Sequence, residues 1–480
     1  MIYSKKIVID QFAPIAVYEK IKAYFENEVS FLFESAGATS EQNSGNYSII
    51  AIGARERLTY KNNQTTYIDS DGNASVIEET PFNFLKSYYK DINQNEYRNI
   101  TSELGLGYVD GFIGFIGYDM VKTFEPTLEN IMSSLEDTLD TPDLDLILPK
   151  FVAVYSHKTH EVTILSALKS ISDEFNIIKD TLLSDYQYTP LIPITSHDQG
   201  SYHFSKNEFF NLIVKSKEMI KSGDVFQILM TNRYTQKAHV DPFSFYRVLR
   251  TKNPSPYMFL MEYETFSIVG SSPEVMVRLQ DKELLLRPIA GTRKRGKTKV
   301  RDLEMEHELV NDPKECAEHL MLIDLGRNDV SRVAKVGTVK VLDMMHVERY
   351  SHVMHMVSDV TATIEDSKDM FDLFAATFTA GTMTGAPKIR AMELIAEFEQ
   401  LKRGFYSGSI AYFGFDGNMD SAITIRTAMV HDDKITLQAG AGVVADSINE
   451  LEYLEVKNKL GALLSSINAL EELNTKSTSS

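Results

Sequence analysis

Glu315 and Glu318 stand three residues apart in "DPKECAEHLMLIDLGRND", and Glu452 and Glu455 repeat that spacing in "SINELEYLEVKNK". On a helix, residues three apart share a face. Each pair would then present two carboxylates side by side, and Lys459 continues the second face one turn on. A solvated acidic face is the ordinary fate of such glutamates. The first pair, however, adjoins Cys316, Ala317 and the apolar run "HLMLIDL", which points to a helix packed on a core. Buried carboxylates need partners or a metal. With no Cys/His set at zinc spacing, all-oxygen ligation would suit Mg²⁺. Spacing alone leaves both readings open.

The overall charge sharpens the question. Acidic residues number 67 and basic ones 49, a net charge of −18, which disfavours nucleic acid or an anionic membrane as a general partner. An anionic substrate would need a local positive pocket, and a bound metal inverts the local sign. The single cysteine, Cys316, excludes an internal disulfide and leads us to expect a reducing, cytoplasmic setting. The start "MIYSKKIVIDQFAP" has no long apolar stretch, and no run elsewhere reaches spanning length, so neither signal peptide nor membrane span is expected.

Three further stretches could bind an anion. "AGTMTGAPKIRAMEL" is a Gly-rich turn feeding a helix, without P-loop spacing. "RPIAGTRKRG" carries four cations and two glycines, and also fits a solvated basic hairpin; "QAGAGVVAD" offers small residues for close backbone approach. Arg426, alternating with apolar neighbours in "ITIRTAM", reads as strand-borne and inward-facing, where it would meet a carboxylate.

The elements that must position these residues are legible in outline. Short apolar runs such as "VSFLFESA", "YSIIAIG", "GYVDGFIGFIGY", "PKFVAVYSH" and "EVTILSAL" predict strands in the first half. Residues 188–209 read as a connector. A capping box at Ser205 and Glu208 opens a helix that Gly223 ends. Asp312 and Pro313 open the helix of the first glutamate pair. Ile389, Met392 and Ile395 form a helical stripe. Ser447 and Glu450 suggest a capping box for a last helix reaching about residue 466. Strands are expected in "VFQILMTNRY", "FSIVGSS", "SGSIAYFGF", "AITIRTAMV" and "KITLQAGAGVV". The class is α+β with much antiparallel sheet. We expect an N-terminal region over 1–190, a catalytic region over 200–468 and a flexible tail over 469–480.

Together, "RPIAGTRKRG", "ECAEHLMLIDLGRNDVSRV", "YSHVMHMVS", "AGTMTGAPKIRAMELI", "SGSIAYFG", "IRTA" and "QAGAGVVADS" resemble the chorismate-utilising enzymes, and among these the anthranilate synthase component I family. The resemblance implies a two-subdomain fold, antiparallel sheets in a layered sandwich with helices outside. It implies a lyase that converts chorismate and ammonia to anthranilate and pyruvate, with Mg²⁺, in tryptophan biosynthesis. Glu318 and Glu455 would ligate the metal directly, with Glu315 and Glu452 supporting them. Gly291, Thr292, Tyr406, Arg426, Gly440, Ala441 and Gly442 would contact chorismate. Thr382 and Lys459 would face the substrate, Glu274 would protonate the departing hydroxyl, and His355 would serve the elimination. Glu34 and Ser35 of "FLFESA", with Pro256, Tyr257, Met258 and Tyr412, would bind tryptophan as feedback inhibitor. The loop after Ser35 departs from the family's pattern.

Two positions bear on alternatives. Aminodeoxychorismate synthases carry a nucleophilic Lys where this chain has Ala290. Isochorismate and salicylate synthases carry a water-activating Lys where it has Gln227. Both differences favour ammonia as nucleophile. Aminodeoxychorismate synthase component I, or a catalytically silent tryptophan-sensing relative, are the competing readings. Cys316 lies on no Gly-rich elbow, so the ammonia is expected from a separate glutamine amidotransferase subunit.

Overall fold

The structure, a computed structural model, describes residues 1–35, 47–350 and 353–477. The divergent loop after Ser35 (residues 36–46), two residues of "YSHVMHMVS" and the last three residues lie outside these. Every ladder between named strands is antiparallel. Alternate residues of a strand point to opposite faces, and here both faces are covered. Ile50 and Ile52 enter one apolar core, whereas Ala51 between them enters the other. Ile228 and Met230 likewise oppose Leu229. Burial on two sides explains why these strands read as continuous apolar runs rather than alternating ones.

Strand pairing crosses the expected division at residue 190. Ser30–Glu34 pairs with Tyr257–Glu262, and Gly111–Ile116 with Ser409–Gly414. Each of the two large cores also draws on both halves of the chain. The connector is pinned as well, since Thr195–Ser196 and Ser201–Tyr202 pair along Gln227–His239.

Helix signals are realised where a side chain meets a backbone donor. Ser205 and Glu208 form the reciprocal capping box of Lys206–Ser222, and Gly223 closes it at φ 85°. Asp312 accepts from the amides of Lys314 and Glu315 at the start of Pro313–Ser331. The last helix departs from expectation. Ser447 accepts instead from the Val444 amide, and Glu450 pairs with Lys206 at 2.8 Å. The helix, Asn449–Ser477, runs well past residue 466 because Leu460, Leu463, Ile467 and Leu470 continue one buried stripe. "AITIRTAMV" also differs. It breaks into Met419–Ile423 and Thr427–His431, with Arg426 at φ 52° in the gap. Among the described residues, no helix is long and apolar enough to cross a membrane.

Gly114 lies between two strands on the ladder that joins the halves. A Cβ there would come within 2.1 Å of the Asp145 carbonyl oxygen. Gly114→Ala should therefore cost about 1–3 kcal/mol, read as a lowered denaturation midpoint in urea. An unchanged midpoint would mean that this close approach does not exist.

Candidate active site

The two glutamate helices approach one another. Glu318 is half-buried, and its pKa is raised by burial and then by the charges of Glu315 and Glu455, with Lys314 and Lys459 opposing. Glu452 is raised in the same way, by burial and Glu455. The four carboxylates differ in their partners. Arg293 donates to Glu315 at 2.9 Å and to Asp312 at 2.8 Å. Ser447 supports Glu452, and Lys459 pairs with Glu455 at 2.7 Å. Glu318 alone of the four forms no hydrogen bond or ion pair with the described residues.

Such a set fits a hard cation. It is all oxygen, electrostatically strained and one carboxylate short of partners. Among the described residues no three acidic, His or Cys groups converge closely enough to hold a metal by themselves. Mg²⁺ needs no more than one or two protein carboxylates, with water and substrate completing its shell.

Lys459 joins this set to the rest of the site. Its ammonium donates to the Gly440 carbonyl at 2.8 Å and lies within electrostatic reach of Glu274. Glu274 is buried in the turn between Phe266–Ser272 and Val275–Gln280. Burial pushes its pKa up to about 7, against a hydrogen bond from Thr382 at 2.9 Å. Half-protonated near neutrality, it can donate a proton. A cleft of about 30 Å³ touches both residues.

His355, on the strand Val353–Thr363, contacts Thr292 Oγ1 at 3.0 Å and the Gly291 carbonyl at 3.3 Å, both through Nδ1. A carbonyl only accepts, so Nδ1 carries the hydrogen and Nε2 keeps its lone pair. Burial lowers the imidazole pKa to about 4, with Arg426 adding to the effect. His355 is thus a neutral base at pH 7. Gly291, at φ 66°, leaves no room for a side chain: a Cβ would meet Leu309 at 2.8 Å and Glu315 at 3.0 Å.

Arg426 stands between these groups. Burial lowers its pKa, while Tyr406 and Glu455 favour its charge. The left-handed backbone, rather than strand alternation, aims it. Gly440, Ala441 and Gly442 pair with Thr231, Met230 and Leu229. At Gly442 a Cβ would come within 2.6 Å of Gln227 Nε2, and Gln227 Oε1 is buried without a partner.

A separate, larger cavity of about 550 Å³ is lined by Glu34, Ser35, Pro256, Tyr257, Met258 and Tyr412 together. The Glu34 carboxylate is already held, by Tyr246 at 2.5 Å and Arg250 at 2.9 Å. Sequence reasoning missed two charged lining residues, Arg278 and Asp420, which face each other across paired strands. It also missed Arg293, whose role depends on a contact that no spacing reveals.

The chain matches the chorismate binding enzyme family over residues 28–465. It belongs to that family. It is 37% identical to anthranilate synthase component 1 of Aquifex aeolicus, over 97% of this chain and 94% of that protein. The Bacillus subtilis protein of the same name is 38% identical, over 97% and 92%. A crystal structure of anthranilate synthase component I from Streptococcus pneumoniae superposes with a TM-score of 0.76 at 30% identity, covering 96% of this chain and 99% of that one. The menaquinone-specific isochorismate synthase of Escherichia coli, at 19% identity and TM-score 0.71, shares the fold.

A raised carboxyl pKa means that folding disfavours the ionised form, so the destabilisation grows as pH rises above the ordinary carboxylate range. Metal-free Glu318→Gln should therefore melt at or above the parent Tm at pH 8. Assayed with chorismate, an ammonium salt and added Mg²⁺, it should lose more than about 100-fold in activity. A parental rate in this variant would remove Glu318 from the metal site.

Proposed function

We propose that this chain converts chorismate and ammonia to anthranilate and pyruvate; its relatives carry the name anthranilate synthase component 1. The reading rests above all on one juxtaposition: Lys459 interacts with the acid Glu274 and with the carboxylates Glu318, Glu452 and Glu455. A proton donor and a cation-seeking set are thus linked through one lysine.

Chorismate is a dicarboxylate ring with a hydroxyl and an enolpyruvyl ether. Glu318 and Glu455 would hold Mg²⁺, which supplies positive charge to the ring carboxylate. Arg426, with the main chain at 440–442, suits the second carboxylate. Glu274 protonates the departing hydroxyl as ammonia adds to the ring, and His355 Nε2 takes a proton in the elimination of pyruvate that leaves the ring aromatic. Ala290 has no nucleophile to compete with ammonia, and the Gln227 amide cannot act as a base near pH 7. Ammonia comes from a separate glutamine amidotransferase subunit, consistent with relatives named as a component 1.

The 550 Å³ cavity suits a zwitterionic aromatic amino acid. Its walls are apolar and aromatic, and Arg278 and Asp420 offer charges of both signs. We assign tryptophan to it, as inhibitor. The strand Val275–Gln280 begins one residue after Glu274 and carries Arg278, so a shift at the cavity has a direct route to the acid.

Purified protein with chorismate, Mg²⁺ and an ammonium salt should release fluorescent anthranilate. A different product, or none, would refute the assignment. At fixed free ammonia, kcat/KM should fall as pH rises through about 7, because deprotonated Glu274 cannot donate. Thr382→Val removes the hydrogen bond that favours the carboxylate, so its alkaline limb should move to higher pH. A limb that stays put would exclude Glu274 as the acid.

Added tryptophan should inhibit, and chorismate should weaken its binding reciprocally. The chain has no tryptophan of its own, so the ligand's emission reports binding directly. Ser35→Ala should weaken inhibition roughly tenfold, and an unchanged inhibition curve would place the site elsewhere.

A further inference from the structure

Arg403 is 1% exposed, deeper than the polar side chains assigned to the substrate, and touches no expected ligand. Its guanidinium nevertheless reaches several elements of the pocket. Nε and Nη2 donate to Glu399 at 2.9 and 2.8 Å. Nη1 donates to the Met383 carbonyl at 2.8 Å, directly after Thr382. Nη2 donates again, at 2.9 Å, to the carbonyl of Leu229, whose cross-strand partner is Gly442. The Arg403 carbonyl accepts the Tyr406 amide at 3.3 Å.

Glu399 extends the same network. Its Oε1 accepts the amide and the hydroxyl of Thr231 at 2.8 and 2.9 Å, and Thr231 lies opposite Gly440. Gln438 donates to the Thr231 hydroxyl at 2.8 Å. One buried ion pair therefore ties the Thr382 turn, the Tyr406 loop and the strand opposite 440–442 to each other.

We propose that Arg403, held by Glu399, is a positioning residue for the reaction: it fixes the Thr382 turn against Glu274 while anchoring the strand opposite 440–442. The inference rests on the chorismate reading above. Stability alone gives no reason for this pair, since a buried ion pair is often matched or bettered by apolar residues of similar volume. Geometry does give one. A planar fork with fixed donor directions holds two main-chain carbonyls and a carboxylate at set angles, which neither an apolar side chain nor the single ammonium of Lys can do. The Tyr118 ring, 4.8 Å from the guanidinium carbon, covers its face.

A double-mutant cycle separates positioning from bulk stabilisation. Arg403→Lys and Thr382→Val, each confirmed folded, should each lower kcat by roughly 10- to 100-fold. The double variant should be no slower than the slower single one, because both break the same Thr382–Glu274 contact. Losses that multiply, or a parental kcat in folded Arg403→Lys, would overturn the proposal. If Arg403→Lys does not fold, Glu399→Gln, of equal volume, takes its place in the cycle with the same two outcomes. A parent that forms no aromatic product from chorismate would instead defeat the functional reading itself.

Discussion

Crowding of negative charge between two helices is the constraint on which the rest of the site depends. Opposed charges about 4 Å apart at a protein-like effective dielectric interact by about 4 kcal/mol, and like charges cost on that scale. The fold answers this unevenly. Arg293 holds Glu315, Ser447 holds Glu452 and Lys459 holds Glu455, whereas Glu318 is left to Coulomb interactions alone. Full neutralisation by lysines would leave a cation nothing to gain. With no cationic neighbours, the helices could not pack so closely. Partial compensation concentrates the demand for positive charge at one carboxylate, which is how an anionic protein can receive an anionic substrate.

Burial then does opposite work on two other groups. It raises Glu274 to about 7 and lowers His355 to about 4, because a low-dielectric setting disfavours charge of either sign. The result, at pH 7, is a carboxyl that is still half-protonated and an imidazole that is neutral. One cation acts on each: Arg426 lowers His355 further, and Lys459 opposes the rise at Glu274.

What could be read from the sequence follows from the range of the interactions involved. The family resemblance gave the fold class and the chemistry. Local rules gave the caps at Ser205 and Asp312, where donor and acceptor are a few residues apart. The same rules failed where a distant partner won: Glu450 turns to Lys206 instead of closing a cap. Arg426 looked strand-borne because its neighbours alternate, but its left-handed backbone is set by the junction of two strands. Leu463, Ile467 and Leu470 already extended a helical stripe, and a polar tail masked it. Arg278 and Asp420 left no signal in spacing, since they meet only across paired strands, and for Arg403 the spacing to Glu399 shows an ion pair but not the two main-chain carbonyls that the fork also holds.

The interleaving of the halves bears on how two sites in one chain can communicate. Were the N-terminal region a separate lobe, a ligand bound to it could act on the catalytic groups only by moving a lobe. Instead Ser30–Glu34 is a strand of the sheet that contains Tyr257–Glu262, and Gly111–Ile116 abuts the strand carrying Tyr412. The large cavity therefore has walls from both halves, one of which is the strand that follows Glu274. Close-packed sheets transmit small displacements because their contacts cannot deform continuously. On the proposed reading, a ligand there would need only to favour one arrangement of a few side chains to alter the surroundings of Glu274, whose protonation is set by burial.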